Sequence, residues 1–311
     1  MGVMVDGVWD PAARSLPSQA GAFVRQPTSF RGTIAPGTGH PPEPGRYHLI
    51  VSLACPWAHR TLIMRALKRL EGLIGVSVTH WLMAEDGWTF APGPGVMAAP
   101  VPGIAAVHEL YRLADPRYTG RATVPLLWDA ANDAIVNNES AEILRILNTA
   151  FDGIGADRAD YYPQPLRGDI DAVNARVYET LNNGVYRAGF ATTQQAYDVA
   201  VHPLFATLDW LEDRLAGRDF LVGNQLTEAD IRLFTTLVRF DAVYHGHFKC
   251  NLRRLIDYPR LAAFARRLYE TPGIAATCDF DHIRRHYYES HRHLNPNGIV
   301  PVGPARDFRS A

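Results

Sequence analysis

Short apolar runs alternate with helical repeats between residues 46 and 150. The segment RYHLIVSL, residues 46–53, is typical of a strand. Apolar positions at helical spacing follow it: Leu62, Ile63, Ala66, Leu67 and Leu70. The segment VSVTHWLM, residues 76–83, alternates well enough to predict a second strand. Together these segments predict a strand–helix–strand unit, in which a right-handed crossover joins two parallel strands.

The next apolar segments complete this first domain, although two features complicate the pattern. TVPLLWD, residues 123–129, predicts a third strand, and AIVNNESAEILRIL predicts a short strand, a polar turn and an amphipathic helix. Pro125 argues against a central strand, unless its peptide bond is cis and turns the backbone. Residues 84–115 are rich in Gly, Pro and Ala and too long for a simple connection. We interpret them as a functional or mobile insertion.

After about Asp152 the apolar positions follow a helical period. They mark helices around residues 166–181, 201–215 and 226–240, then a last one that stops at Pro272-Gly273. In LTEADIRLF, Thr227 can cap a helix, with Asp230 as the acidic partner of a capping box. The pattern therefore predicts an extended arm (1–45), an α/β domain (46–150), a helical domain (163–290) and a C-terminal coil (291–311).

Composition narrows the classes of partner. The 31 basic and 32 acidic residues give a net charge of −1, which offers no electrostatic reason to expect nucleic acid or an anionic membrane. No apolar run approaches the roughly 20 residues that cross a bilayer, and no secretory signal is visible. The three cysteines are too few and too scattered for a disulfide framework. We expect a cytoplasmic protein with free thiols.

Cys55 is the first candidate for chemistry, because Pro56 directly follows it. Proline is favoured at the first helical position, which would leave Cys55 at the cap. There the positive end of the helix dipole favours the thiolate. A buried packing residue at a strand–helix junction is an equally good interpretation of the pattern alone. Ala58 stands where a dithiol oxidoreductase carries its second cysteine, so an external thiol would have to resolve a mixed disulfide at Cys55.

Histidines suggest a metal site only superficially. His245 and His247 form an HxH pair, and others cluster near the C-terminus: His286, His291 and His293. An HxH pair puts both rings on one face only in a strand, whereas this segment lies in the helical region. No pattern of carboxylates or cysteines accompanies these residues, so we expect no metal site.

Several longer motifs resemble one family. They are CPWAHR (55–60), GRATVP (120–125), NNESAEI (137–143), NNGVYRAGFATTQQAY (182–197), LTEADIRLF (226–234) and HYYESHRHLNPNGIVPVGP (286–304). Over nearly the whole chain the sequence resembles the Xi class of glutathione transferases, the glutathionyl-hydroquinone reductases. The resemblance implies a thioredoxin-like N-terminal domain, a C-terminal helical transferase domain and a homodimer. It also implies glutathione as co-substrate and no metal.

The resemblance implies a glutathione site in the first domain. Cys55 would be the nucleophile, and Val124 with a cis Pro125 would pair with the cysteinyl part of glutathione. Glu139 and Ser140 would hold the ammonium and carboxylate of its γ-glutamyl end. Trp88 would line the site, and Arg121 would bind the glycyl carboxylate. From the residues alone, an edge-strand proline, a plain helix cap, a loop clamp and a surface arginine remain open alternatives.

Tyrosines carry the implied chemistry of the second substrate. By the resemblance, Tyr186 and Tyr287 lie in the pocket for an aromatic substrate, where a phenol can donate a hydrogen bond or a proton; Tyr288 is adjacent. Core packing is the alternative role.

The implied activity is glutathione-dependent reduction of S-glutathionyl-hydroquinones through a Cys55–glutathione disulfide, which releases oxidised glutathione. Two alternatives stay open. One is a broader monothiol transferase acting on dehydroascorbate or mixed disulfides, and the other is a noncatalytic scaffold of the same fold.

Overall fold

A computed structural model describes residues 2–13, 18–23 and 27–304. They form two compact units. Unit 1 holds residues 2–13, 27–159 and 276–290, and unit 2 holds residues 18–23, 160–275 and 291–304. Parts of the predicted arm (1, 14–17 and 24–26) and of the predicted C-terminal coil (305–311) lie outside the described residues.

A four-stranded mixed sheet forms the centre of unit 1. Its strands are β5 (Tyr47–Val51), β6 (Ile74–Val78), β7 (Leu126–Asp129) and β8 (Ala134–Asn137), in the order β6-β5-β7-β8. β5 and β6 are parallel, as the strand–helix–strand pattern predicts, whereas β7 runs antiparallel to both β5 and β8. β7 is thus an inner strand, and Pro125 precedes its first paired residue instead of interrupting it. A proline placed there removes no ladder hydrogen bond.

The second strand is shorter than the prediction for residues 76–83. β6 ends at Val78, and the chain then leaves the sheet. Trp81 is buried because it packs against a later helix: the Arg285 guanidinium carbon lies 4.0 Å from its ring centroid, and its Nε1 donates to Glu289 at 2.9 Å. The alternating pattern therefore continues past the strand because helix packing, not sheet pairing, buries Trp81.

Helices and the N-terminal segments surround the sheet. α1 (Pro56–Leu67) packs against α3 (Ser140–Thr149), and α2 (Val107–Ala114) lies within the predicted insertion and contacts β8. β1 (Val3–Val5) and β2 (Val8–Asp10) form a hairpin. Farther along the arm, Gly32 N–H donates to the Val136 carbonyl at 2.8 Å. The described parts of the arm that belong to unit 1 are therefore held by hydrogen bonds.

Unit 2 is helical, apart from the short pair β3 (Ser18–Gln19) and β4 (Ala22–Phe23). Its helices are α4 (Arg167–Val177), α5 (Gly184–Gly189), α6 (Gln194–Arg214), α7 (Glu228–Arg239) and α8 (Pro259–Glu270), with π-helical turns at Tyr178–Asn182 and Phe240–Tyr244 and 3₁₀ turns at Gln164–Leu166 and Leu255–Asp257. This confirms the predicted architecture of an α/β domain followed by a helical one. Along the described chain, none of the helices combines the length and apolar character needed to cross a membrane.

The last helix differs from the predicted layout. The pattern assigns residues 163–290 to one helical domain, but a 3₁₀ turn (Ala275–Thr277) leads into α9 (Phe280–Ser290), and this helix belongs to unit 1. His282 and His286 bond to the carbonyls of Pro94 and Trp81 at 2.7 and 2.8 Å. These contacts with the loops after β6 give α9 its place in unit 1, which periodicity along the helix does not reveal.

The capping box at the start of α7 is present. Asp230 is fully buried, and its carboxylate accepts from Thr227 N–H at 2.8 Å, Thr227 Oγ at 2.9 Å and Leu221 N–H at 2.8 Å. Burial raises the pKa of Asp230 to about 6, against the opposing effect of these donors. The carboxylate therefore connects the loop before α7 to the first turn of that helix.

Asp230→Ala should lower the free energy of unfolding by about 3 kcal/mol, because three buried donors lose their acceptor. Chemical denaturation at neutral pH measures this loss. The matched control is Thr193→Ala, which removes the exposed cap of α6 and should cost about 1 kcal/mol. Equal losses in the two variants would contradict a special role for the buried carboxylate.

Candidate active site

Cys55 stands at the N-cap of α1, as its sequence position predicts. β5 ends at Val51, a turn is closed by the bond from Cys55 N–H to the Ser52 carbonyl at 3.1 Å, and Pro56 is the first helical residue. The Cys55 carbonyl accepts the first bond of the helix, from His59 N–H at 3.0 Å. Cys55 is 9% exposed. A thiol in this position lies at the positive end of the helix, where the thiolate is stabilised.

The segment before β7 lies beside this thiol. The Val124–Pro125 peptide bond is cis, as the resemblance implies. Cys55 Sγ is 3.7 Å from the Val124 carbonyl oxygen, to which the thiol donates. Antiparallel pairing of β7 with β5 brings the start of β7 to the end of β5 that precedes Cys55. The sheet therefore places Cys55, Val124 and Pro125 together.

The NNES motif forms the turn from β8 into α3. Asn137 Oδ1 accepts from Glu139 N–H at 2.7 Å, and Glu139 is the N-cap whose carboxylate accepts from Ala141 N–H at 3.2 Å. Thr28, on the N-terminal arm, donates to the other oxygen of this carboxylate at 3.2 Å. Ser140 is buried as the first residue of α3. The free N–H groups and the dipole at this helix start favour an anionic ligand group.

Tyr111, on α2 of the insertion, connects the two loops. Its hydroxyl donates to the Thr123 carbonyl at 3.0 Å and accepts from Asn138 Nδ2 at 3.0 Å and from Thr123 N–H at 3.3 Å. Burial raises the pKa of Tyr111 to about 12, so the phenol stays protonated and can keep donating. The Tyr111 hydroxyl oxygen thus bonds both to Thr123, which precedes Val124, and to Asn138, which precedes Glu139.

Trp88 lies in the same insertion and is buried against α9. Its ring stacks on His286 with centroids 4.7 Å apart, and its carbonyl accepts from Val107 N–H at 2.8 Å. The next residues of α9 are Tyr287, which is 1% exposed, and Tyr288, which is half-buried. The hydrogen bond from Val107 at the start of α2 and the stacked ring of His286 on α9 therefore fix Trp88 within unit 1.

Tyr186 belongs to unit 2 and is half-buried in an aromatic cluster. Its ring centroid lies 5.5 Å from that of Phe248, 6.0 Å from Phe190 and 6.1 Å from Tyr244. Gly189, one turn later on α5, allows this packing, because a Cβ there would lie 2.2 Å from the Phe248 ring. The second glycine of the NGVYRAGFA motif therefore allows the close approach of an aromatic ring.

The remaining candidates are less closely tied to these contacts. Arg121 is half-buried and its carbonyl accepts from the Tyr118 hydroxyl at 3.1 Å; a role for its guanidinium stays a prediction. Cys250 is fully buried, and burial raises the pKa of its thiol, which disfavours the reactive thiolate. Within the described ranges, no group of three or more His, Cys, Asp or Glu side chains could hold a metal ion.

Sequence reasoning did not identify three residues with contacts at this site: Thr28, Arg60 and Tyr111. Arg60 stands between His59 and Thr61 in sequence, where nothing local marks it as a site residue, and its Nη1 donates to the Ser140 hydroxyl at 3.3 Å. Tyr111 and Thr28 are each distant in sequence from the residues they contact, so only the folded chain reveals them.

Two family models match the chain. The N-terminal domain of glutathione S-transferase matches residues 54–150, and the C-terminal domain of glutathione S-transferase matches residues 194–267. The matched stretches include Cys55, Val124, Glu139 and Ser140 in the first case and α6, α7 and most of α8 in the second.

Whole-chain comparisons agree with the domain matches. Glutathionyl-hydroquinone reductase PcpF of Sphingobium chlorophenolicum is 57% identical over 98% of this chain and 97% of its own length. The glutathione-bound structure of YqjG, a glutathione transferase homolog from Escherichia coli, is 51% identical with a TM-score of 0.90, over 99% of this chain and 97% of that one. A Xi-class transferase structure from Natrialba magadii has a TM-score of 0.95 at 48% identity, covering 100% and 96%.

Tyr111→Phe should lower the free energy of unfolding by about 2 kcal/mol, because the Thr123 carbonyl and the Asn138 amide both lose a buried partner. Equilibrium denaturation measures the loss. Tyr47→Phe is the matched control, since the Tyr47 hydroxyl is also buried and donates to the Pro41 carbonyl at 2.6 Å; about 1 kcal/mol is expected there. A loss for Tyr111→Phe no larger than this control would show that the hydroxyl does not join the two loops.

Proposed function

Since this chain belongs to the Xi class of the glutathione transferase family, we propose that it reduces S-glutathionyl-hydroquinones to hydroquinones with glutathione as co-substrate. The observation that carries the proposal is the single thiol at the start of α1, with Cys55 Sγ 3.7 Å from the carbonyl that precedes a cis proline. Position 58, where a second thiol would stand, holds a fully buried alanine. The relative with 57% identity is a glutathionyl-hydroquinone reductase.

The first step is attack of the Cys55 thiolate on the sulfur of the substrate thioether. The sulfur–sulfur bond forms as the carbon–sulfur bond breaks, and the electron pair goes to the aromatic carbon, which takes up a proton. Cys55 is then joined to glutathione. In the second step a glutathione thiolate attacks this disulfide, which frees Cys55 and releases oxidised glutathione. Attack on sulfur needs a thiolate and not the hydroxyl of a serine or tyrosine.

Glutathione is held along the groups that surround Cys55. Its cysteinyl backbone pairs with Val124, which precedes the cis proline, and its γ-glutamyl end lies at the start of α3. There the Glu139 carboxylate takes the ammonium and Ser140 takes the carboxylate. Trp88 lines the site and Arg121 takes the glycyl carboxylate. The position of Ser140 as the first residue of α3 supports the placement of the γ-glutamyl end, because the free N–H groups and the dipole of a helix start favour a carboxylate.

Protonation of the aromatic carbon falls to a tyrosine, Tyr186 or Tyr287. Phenols are weak acids that can donate a proton to a carbanion-like carbon and hydrogen-bond to a quinol oxygen. Tyr186 stands in an aromatic cluster suited to a ring-shaped ligand, and Tyr288 contributes to substrate binding beside Tyr287. The proposal also includes a homodimer in the cytoplasm, where thiols stay reduced.

Cys55→Ser should abolish turnover of a glutathionyl-hydroquinone while leaving the fold and glutathione binding intact, because a hydroxyl cannot form the disulfide. Chromatographic detection of released hydroquinone measures turnover, circular dichroism and calorimetric titration measure fold and glutathione binding, and intact mass after exposure to oxidised glutathione should show no adduct on Cys55→Ser. Cys278→Ser is the control and should keep both turnover and the glutathione adduct. Hydroquinone release by Cys55→Ser at the wild-type rate would remove Cys55 from the mechanism.

The same hydroquinone-release assay distinguishes the proposed reductase activity from a broader monothiol transferase activity. If wild-type protein turns over a glutathione mixed disulfide or dehydroascorbate and releases no hydroquinone from the thioether, the broader transferase function replaces the proposed one. A protein that binds glutathione and turns over none of these substrates would be a scaffold.

Tyr186→Phe and Tyr287→Phe should each lower kcat for hydroquinone release, and the proton donor should lose about 100-fold or more. Formation of the Cys55–glutathione disulfide from oxidised glutathione needs no carbon protonation and should proceed at the wild-type rate in both. Tyr197→Phe is the control, since its hydroxyl donates to the Lys249 carbonyl at 2.6 Å. Full activity in both phenylalanine variants would exclude tyrosine as the acid.

A further inference from the structure

Helix α1 buries an arginine one turn beyond its reactive end. Arg60 is 1% exposed, and its guanidinium carbon lies 4.5 Å from the ring centroid of Trp57. Nη1 donates to Ser140 Oγ at 3.3 Å. Removing a guanidinium from water costs free energy that hydrogen bonds and nearby negative charge must offset. The contact with Ser140 places this positive charge at the start of α3.

The direction of this hydrogen bond follows from the chemistry of the two groups. A guanidinium has only donors and keeps its charge at any accessible pH, so Ser140 Oγ must be the acceptor. The hydroxyl proton of Ser140 therefore points to another acceptor. Glu139 Oε1 lies 3.5 Å away, at the limit of hydrogen bonding. A ligand oxygen closer to Ser140 would take this proton instead.

Two sources of positive potential act on the same hydroxyl. One is the start of α3, where Ser140 is the first helical residue; the other is the full charge of Arg60. When the Ser140 hydroxyl accepts a hydrogen bond from the Arg60 cation and donates one to an anion, each of these two hydrogen bonds strengthens the other. An ammonium group would be repelled there, whereas the Glu139 carboxylate beside it would attract one.

We propose that Arg60 is a positioning residue for glutathione, which fixes Ser140 as a donor toward the α-carboxylate of the γ-glutamyl group. This inference rests on the proposed function and specifies how its glutathione site distinguishes the two charged groups at that end. Arg60 acts through Ser140 and need not touch the reacting sulfur. Its contribution is to glutathione affinity and not to the chemistry at Cys55.

Two ligands separate this role from a general effect on folding. γ-Aminobutyryl-cysteinylglycine keeps the ammonium of glutathione and lacks the α-carboxylate, whereas glutaryl-cysteinylglycine keeps the carboxylate and lacks the ammonium. By calorimetric titration under reducing conditions, wild-type protein should bind glutathione about tenfold or more tightly than the carboxylate-free ligand. Arg60→Met should weaken glutathione and the glutaryl ligand by about tenfold and leave the carboxylate-free ligand within about twofold.

The matched control is Arg65→Met, the same change on the same helix. Arg65 donates to the carbonyls of Ile74 and Glu71 at 2.9 and 3.3 Å, and its loss should leave the ratio of the ligand affinities unchanged. The alkylation rate of Cys55 by iodoacetamide should stay within about twofold in Arg60→Met, since the thiol is not the point of action.

Each result decides the inference. Equal weakening of all three ligands by Arg60→Met, or no weakening of any, overturns it. If circular dichroism shows that Arg60→Met does not fold, Arg60→Gln carries the same comparison, because it removes the positive charge and keeps a polar side chain. Wild-type protein that binds none of the ligands overturns the glutathione site and the proposed function with it. If both Arg60 variants still bind glutathione more tightly than the carboxylate-free ligand by the wild-type ratio, only the role of Arg60 is overturned.

Discussion

A single buried oxygen, the hydroxyl of Tyr111, holds the loop before β7 and the loop before α3 in fixed relation. It donates to the Thr123 carbonyl and accepts from the Asn138 side chain, each at 3.0 Å. The residues that follow these two anchors are Val124, whose carbonyl contacts the Cys55 thiol, and Glu139, which caps α3. Because the phenol is buried, it cannot exchange these partners for water without cost, so the site is held in shape by a residue outside it.

Every residue of the NNES turn has a separate structural task. Asn137 accepts a hydrogen bond from the Glu139 backbone N–H, and Asn138 donates one to the Tyr111 hydroxyl. Glu139 caps α3, and Ser140 accepts a hydrogen bond from Arg60.

The helical part of the sequence contributes to unit 1 as well, since α9 packs its histidines on the loops after β6 and on Trp88. The insertion at residues 84–115 is thus an ordered part of the first domain. Its helix α2 contacts β8, and its Pro94 and Trp88 contact histidines of α9.

The site could be predicted from sequence where its signals are local. Pro56 marks the start of α1 and so places Cys55 at the cap, and the turn residues before α3 mark the other helix start. The family resemblance added the roles of Val124, Trp88, Arg121 and the tyrosines. Where the structure differs from the pattern, long-range packing is involved: β6 ends at Val78, Trp81 beyond it packs on α9, and α9 belongs to unit 1.

The sequence by itself determined the order of the main elements from β5 onward, the parallel pair β5–β6 and the position of Cys55 at a helix start without a second thiol at position 58, since periodicity and Pro56 are readable within a few residues. The tertiary structure alone decided that β7 is an inner strand, that α9 joins unit 1, and that Tyr111, Thr28 and Arg60 support the residues of the NNES turn. The physical reason is separation along the chain. Arg60 and Ser140 are 80 positions apart, and nothing local to either residue specifies the other; sheet register and the packing of α1 on α3 bring them together.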